Sequence, residues 1–144
     1  ISLFHVVNYL DTRDDLRACL ASVARLLPTG GRMVFDSWHG PGVLADPPAP
    51  RVKERAKGAT TLRRVATPTH DPATQRVAIR YDVTMSGPEG VRSFSETHTM
   101  RYLFVEDVER AADDLFDVER VHGWLTSVPP TAATWSALYV LRRH

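Results

Sequence analysis

An α/β chain, with one short parallel unit followed by a longer antiparallel β insertion, is the architecture this sequence predicts. Three observations carry that expectation. Apolar residues recur at helical spacing between Arg13 and Leu27, a continuous apolar run from Arg32 to Asp36 follows a Pro-Thr-Gly-Gly stop, and alternation of period two marks the stretch from Thr60 to Tyr102.

The stretch Ile1 to Leu10 is nearly all apolar, and Ile1 to Phe4 reads as the end of a strand. Asp11 and Thr12 break the run. Thr12 with Asp15 three residues later has the form of a helix-opening capping box, and Leu16, Cys19, Leu20, Val23, Ala24 and Leu27 follow on one face, so a helix is predicted over Arg13 to Leu27. Pro28, Thr29, Gly30 and Gly31 stop it, and Arg32 to Asp36 is a strand buried on both faces. Strand end, helix, turn and strand make a βαβ unit with a right-handed crossover.

Ser37 to Pro50 carries Gly40, Pro41, Gly42, Pro47, Pro48 and Pro50, and is predicted to be an irregular loop. Three strands are expected next, Thr60 to Thr67, Arg76 to Met85 and Val91 to Tyr102, joined as an antiparallel meander by the turns His70-Asp71-Pro72 and Ser86-Gly87-Pro88-Glu89-Gly90. In the second, Val77, Ile79, Tyr81, Val83 and Met85 share a face. A helix over Glu106 to Leu115 and two closing strands, Phe116 to Trp124 and Trp135 to Arg142, complete the chain. There is no repeat or linker, so residues 1–36, 37–103 and 104–144 are expected to be parts of one partial domain: parallel unit, loop with antiparallel lid, and closing elements.

With 43% hydrophobic and 24% charged residues among 144, the chain has material for a core. Eighteen basic against 17 acidic residues leave a net charge of +1, which argues against nucleic-acid or polybasic membrane binding and favours a small-molecule partner. Cys19 is the single cysteine, so no internal disulfide forms, which suits a cytoplasmic setting. No apolar run reaches the length of a membrane span. The six histidines lack metal-ligand spacing and no Ser-His-Asp or Cys-His arrangement is suggested, so no metal site or hydrolytic machinery is expected.

In open α/β sheets, ligands gather outside the carboxyl ends of parallel strands, here Ser2 to His5 and Asp36 to Gly40. The first cluster holds His5, Asn8 and Tyr9 and the second Asp36, Trp38 and His39, and the two are expected to be neighbours. Glu96 and His98 share a strand face with Phe94, Met100 and Tyr102, as an edge-strand ion pair or as substrate groups. Arg101, on the opposite face, is a candidate for reaching an anionic group such as a sugar diphosphate.

The stretch ISLFHVVNYLDTRDDLRACLASVARLLPTGGRMVFDSWHGPGVL resembles class I methyltransferases from the end of their fourth strand through their fifth. The pairing of LFHVVNYL with FDSWHGP is more particular, being similar to N-methyltransferases that act on nucleotide-linked amino sugars, and FSETHTMRYLF resembles the strand and closing elements of that group. The resemblance spans nearly the whole chain. It implies the carboxyl-terminal part of a Rossmann-like methyltransferase sheet with an antiparallel β insertion, S-adenosylmethionine as cofactor, and transfer of methyl to an amine, less readily a hydroxyl, of a polar small molecule. It further implies Leu3 and Phe4 against the methionine portion of the cofactor, Tyr9 near the substrate amine at a position that is commonly histidine, and Asp36 and Trp38 closing the far side. Tyr9 or His5 would accept or orient a proton, since methyl transfer needs a neutral nucleophile. The match has one large departure: no Gly-rich turn follows a first strand and no acidic residue ends a second. About three βα units, on the order of 90 residues, are expected to lie outside these residues. Uncovered edges and helix faces make a homo-oligomer possible. The competing expectation is a non-catalytic α/β binding module.

Overall fold

The computed structural model describes all 144 residues, Ile1–His144. Chain order is a 3-10 turn (Val6–Tyr9), α1 (Arg13–Leu26), β1 (Arg32–Trp38), α2 (Gly40–Ala45), β2 (Arg51–Lys57), β3 (Thr60–Asp71), β4 (Arg76–Gly87), β5 (Gly90–Arg101), α3 (Val105–Ala112), a 3-10 turn (Asp113–Leu115), β6 (Phe116–Gly123) and β7 (Ser136–Arg143). The strands form two sheets, of order β1-β7-β6 and β2-β3-β4-β5.

The parallel unit is present at its two ends. Ser2 bridges Phe35 in parallel, its N–H donating to the Val34 carbonyl at 2.9 Å while the Asp36 N–H donates to the Ser2 carbonyl at 3.3 Å. Between them runs α1, opened by the expected box: Thr12 Oγ1 accepts from the Asp15 N–H at 3.0 Å, and the Asp15 carboxylate accepts from the Thr12 N–H at 3.0 Å. Leu16, Leu20 and Ala24 are its buried stripe, packed with Phe35, Val108, Ala111, Ala112, Tyr139 and Leu141 in the larger core. On its other side β1 pairs with β7, antiparallel over its whole length. Phe35 and Tyr139 stack across that pair at 5.0 Å, and burial pushes the Tyr139 phenol well up from its ordinary value. Cys19 is partly covered on α1, and its burial raises the thiol.

Two expectations need correction between residues 37 and 60. Ser37–Pro50 is not wholly irregular: β1 continues to Trp38, and Gly40–Ala45 is helical. Pro41 stands in the first turn of α2, where its missing N–H has no partner to lose. Gly42 is required there by contact, because a Cβ would lie 2.0 Å from the Thr134 carbonyl oxygen; α2 is thereby seated against the chain leading to Trp135. The insertion also has four strands where three are expected. The additional strand, β2, is RVKERAK, exposed throughout and paired only with β3, so it lacks the apolar alternation that marks a half-buried strand.

β3 is longer than its apolar pattern suggests, and it passes through Pro68. Pairing with β2 ends at Ala66, so Pro68 lies where β3 has a neighbour on one side only. A second, smaller core of Trp38, Val43, Val77, Ile79, Met100 and Tyr102 lies between this sheet and the end of β1. Parallel bridging of His39 with Leu103 returns the chain to the first sheet. Asp107 then opens α3 by accepting from the Phe104 N–H at 3.1 Å, and the helix expected over Glu106 to Leu115 tightens into the 3-10 turn after Ala112.

Candidate active site

The carboxyl ends of the two parallel segments meet. Phe4 and His5 have φ of 67° and 62°, left-handed conformations that cost roughly 1–2 kcal/mol per residue for side chains with a Cβ. That reversal turns Phe4 outward, 80% exposed, and brings His5 onto the fully buried Asp36. The Asp36 carboxylate accepts from the His5 N–H at 3.1 Å, and its other oxygen lies 2.7 Å from His5 Nδ1; neither of the latter two atoms has another partner. Carboxylate and strained turn are thus one unit, each holding the other in place.

The next turn makes a second junction. Asn8 is fully buried and its side chain uses both ends: the amide nitrogen donates to the Arg101 carbonyl at 2.6 Å and to Ser37 Oγ at 3.2 Å, and the amide oxygen accepts from the Trp38 N–H at 3.2 Å. Arg101, the candidate for reaching an anionic group, is buried. Its guanidinium is buried, 3.2 Å from Asp107 and bonded twice to Gln75 Oε1 at 3.1 and 2.6 Å, because the end of β5 is covered by α3. It ties the insertion to α3 and is not free to reach an anion in this arrangement.

Trp38 forms ring contacts with His5 at 6.1 Å and edge-to-face with Trp135 at 5.0 Å. With Trp135, Tyr81, Ile79, Arg51, Lys53 and Arg64 it lines a cavity of about 550 Å³. The strand register explains the chemistry of that wall. Arg51, Ala66, Tyr81 and Glu96 form one cross-strand row; Lys53, Arg64, Val83 and Phe94 form the next; Arg55, Leu62, Met85 and Arg92 form a third. One sheet face therefore carries five cationic side chains in these rows against one carboxylate, although the whole chain is nearly neutral. Arg64 also lies over the Tyr81 ring at 4.9 Å.

Tyr9 and Trp38, from the two clusters expected to be neighbours, do not share this cavity wall. Tyr9 is outside the cavity wall, and its hydroxyl lies 2.7 Å from His98 Nδ1. The His98 ring meets the ring edge of Tyr81, a wall residue, at 5.5 Å, so Tyr9 and the cavity are joined through His98 and Tyr81. Glu96 and His98, read as an edge-strand ion pair or as substrate groups, approach to 3.3 Å on edge strand β5. Sequence reasoning missed Arg51, Lys53, Arg64 and Trp135. Alternation around Tyr81 hinted at the inner face, but without β2 its cationic rows had no visible partner.

Leu3 and Phe4 stand on the strand end beside this junction, the place the resemblance implies for the methionine part of a cofactor. Exposed Phe4 fits an apolar contact of that kind. The paired glycines Gly30 and Gly31 follow α1 and lead into β1, so they form no nucleoside cradle, and contacts to an adenosine are not supplied by these residues. No group of three or more His, Cys, Asp or Glu side chains is placed to hold a metal ion, and no helix is long and apolar enough to cross a membrane.

No family model matches the chain. It is 32% identical over 111 residues to a dTDP-3-amino-3,4,6-trideoxy-alpha-D-glucopyranose N,N-dimethyltransferase of Streptomyces venezuelae, over 77% of this chain and 46% of that relative. It is 32% identical over 104 residues to a dTDP-4-amino-2,3,4,6-tetradeoxy-D-glucose N,N-dimethyltransferase of Saccharopolyspora spinosa, over 72% of this chain and 40% of the relative. An S-adenosylmethionine-dependent methyltransferase structure from Clostridium acetobutylicum superposes with a TM-score of 0.77 at 17% identity, covering 99% of this chain and 57% of that one. The chain spans a little under half the length of these curated relatives. Its α/β fold is the one found in S-adenosylmethionine-dependent methyltransferases.

Proposed function

We propose, from the premise that this chain is similar in sequence to amino-sugar N,N-dimethyltransferases and shares the fold of S-adenosylmethionine-dependent methyltransferases, that it is the carboxyl-terminal, substrate-facing half of such an enzyme. The reaction is methyl transfer from S-adenosylmethionine to the amine of a nucleotide-linked amino sugar. The observation that supports this substrate best is the cavity wall, where Arg51, Lys53 and Arg64 offer charge to a diphosphate and Trp38, Tyr81 and Trp135 offer flat apolar faces to a base or sugar.

Bound S-adenosylmethionine supplies an electrophilic methyl carbon, and the residues of this chain align the amine, exclude water and manage its proton. Tyr9 is the residue we place at the amine, and Leu3 and Phe4 those against the methionine end of the cofactor. His5 is held by Asp36 at the junction of the two strand ends, where it is a second candidate to orient a proton. Trp38 lines the cavity, His98 lies behind the Tyr9 hydroxyl, and Asn8 and Arg101 act as positioning residues that fix the insertion over the strand ends. A cytoplasmic setting agrees with the free thiol of Cys19.

The test is incubation of the protein carrying this chain with S-adenosylmethionine and a dTDP-linked amino sugar, followed by mass spectrometry of the sugar. A methylated amine is the expected product. Methylation of hydroxyl groups alone, or of neither group, overturns the assignment.

A further inference from the structure

Building on that amine reading, we propose that His98, steadied by Glu96, receives the proton the amine gives up, with the Tyr9 hydroxyl as the bridge. The three groups come from two distant stretches of chain. Tyr9 lies in the turn after the first strand end, its hydroxyl 2.7 Å from His98 Nδ1, and the two rings meet nearly edge-on at 5.8 Å. On the far side of the imidazole, Nε2 is 3.3 Å from Glu96 Oε1.

Hydrogen-bond chemistry sets the direction. The 3.3 Å approach of Glu96 is an ion-pair contact and not a hydrogen bond, and a carboxylate beside Nε2 favours the tautomer with its proton on that nitrogen, which leaves Nδ1 as a lone pair for the Tyr9 O–H to donate to. The lone pairs of the phenol oxygen are then open to an amine. When the nitrogen in its ammonium form gives an N–H proton to Tyr9 Oη, the proton already on Tyr9 passes to His98 Nδ1. The amine nitrogen loses one positive charge and the imidazole gains one, so atoms and charge balance without any further reactant. Glu96 faces the new imidazolium, and His98, with a third of its side chain exposed, passes the proton to solvent.

A plain edge-strand ion pair would need only Glu96 and His98. The short contact to a phenol on a different element is what it does not account for. Imidazole is also the side chain suited to taking a proton near neutral pH, which a phenol by itself is not. The groups facing His98 are Tyr9, Glu96 and Tyr81, and the nearby cation, Arg64, is directed to the Tyr81 ring.

His98→Asn keeps a hydrogen-bond partner for Tyr9 but cannot carry a proton onward. In the protein carrying this chain it is expected to lower kcat by about 100-fold, with KM for the amino sugar close to the parent value. His98→Ala should be equally slow and partly restored by added imidazole, a gain that a misfolded variant cannot show. Independently of turnover, ¹⁵N NMR of the chain should find the His98 proton on Nε2, and Tyr9→Phe should move the Nδ1 resonance. A proton on Nδ1, or a His98→Asn variant with parental kcat, overturns the relay alone. Absence of methyl transfer by the unsubstituted protein overturns the amine reading, and the relay with it.

Discussion

The side-chain amide of Asn8 donates to the backbone carbonyl of Arg101 at 2.6 Å, joining the turn after the first strand end to the last residue of β5 from a fully buried position. That bond holds the insertion in register with the strand ends, since the same side chain also engages Ser37 and the Trp38 backbone.

Removing it should be felt as stability. Asn8→Ala leaves the Arg101 carbonyl and the Trp38 N–H without these partners in a buried place, and is expected to cost about 2–4 kcal/mol. A urea titration measures it; a midpoint equal to that of the parent would mean that water or a shifted backbone satisfies both groups.

Charge on the cavity wall should be felt as substrate binding. Lys53→Ala and Arg64→Ala each remove one cation from the wall, and each is expected to raise KM for a dTDP-linked amino sugar by roughly 10-fold or more, as charged hydrogen bonds of about 1.5–3 kcal/mol imply. The same change made in a neutral amino sugar lacking the nucleotide should have little effect. Equal losses for both ligands would place the diphosphate elsewhere.

Acid should open one latch. Arg76 hydrogen-bonds the Asp11 carboxyl and, with its charge, holds it below the ordinary carboxylate value of 3.8, tying the end of the first turn to β4. A carboxyl depressed in the folded state contributes stability above its unfolded pKa and loses that contribution as pH falls through its folded pKa. Asp11→Asn should therefore be less stable than the parent at neutral pH, with the difference closing below about pH 3.8. Thermal unfolding at stepped pH measures it, and a gap that stays constant into acid would show that the pair contributes through shape and not charge.

On the proposed reading only Leu3 and Phe4 of these 144 residues reach the cofactor, at its methionine end, so cofactor affinity should be poor in them by themselves. Calorimetric titration with S-adenosylmethionine is expected to show no micromolar binding. The purified chain should also associate, since Ile1, Phe4, Val6 and Leu26 all stand largely exposed. Tight binding by a 16.1 kDa monomer would show that the site is complete within these residues.

By itself the sequence determined the elements whose signals are local. The box at Thr12 and Asp15, the apolar stripe of α1, the Pro-Thr-Gly-Gly stop and the alternation of β4 all depend on neighbours within a few turns of chain, so they are legible in order. So was the meeting of His5 with Asp36, because a parallel unit brings two carboxyl ends to one edge whatever else the chain does. Tertiary structure alone decided the rest. Strand β2 exists because β3 offers it an edge, and its charges show no pattern until Lys53 stands opposite Arg64. Arg101 changed from a candidate for reaching an anionic group to a buried tie only when α3 covered the end of β5. Tyr9 met His98 across 89 positions for the same reason: burial and register are properties of the packed sheet, and no local periodicity encodes which side chain a distant strand will bring.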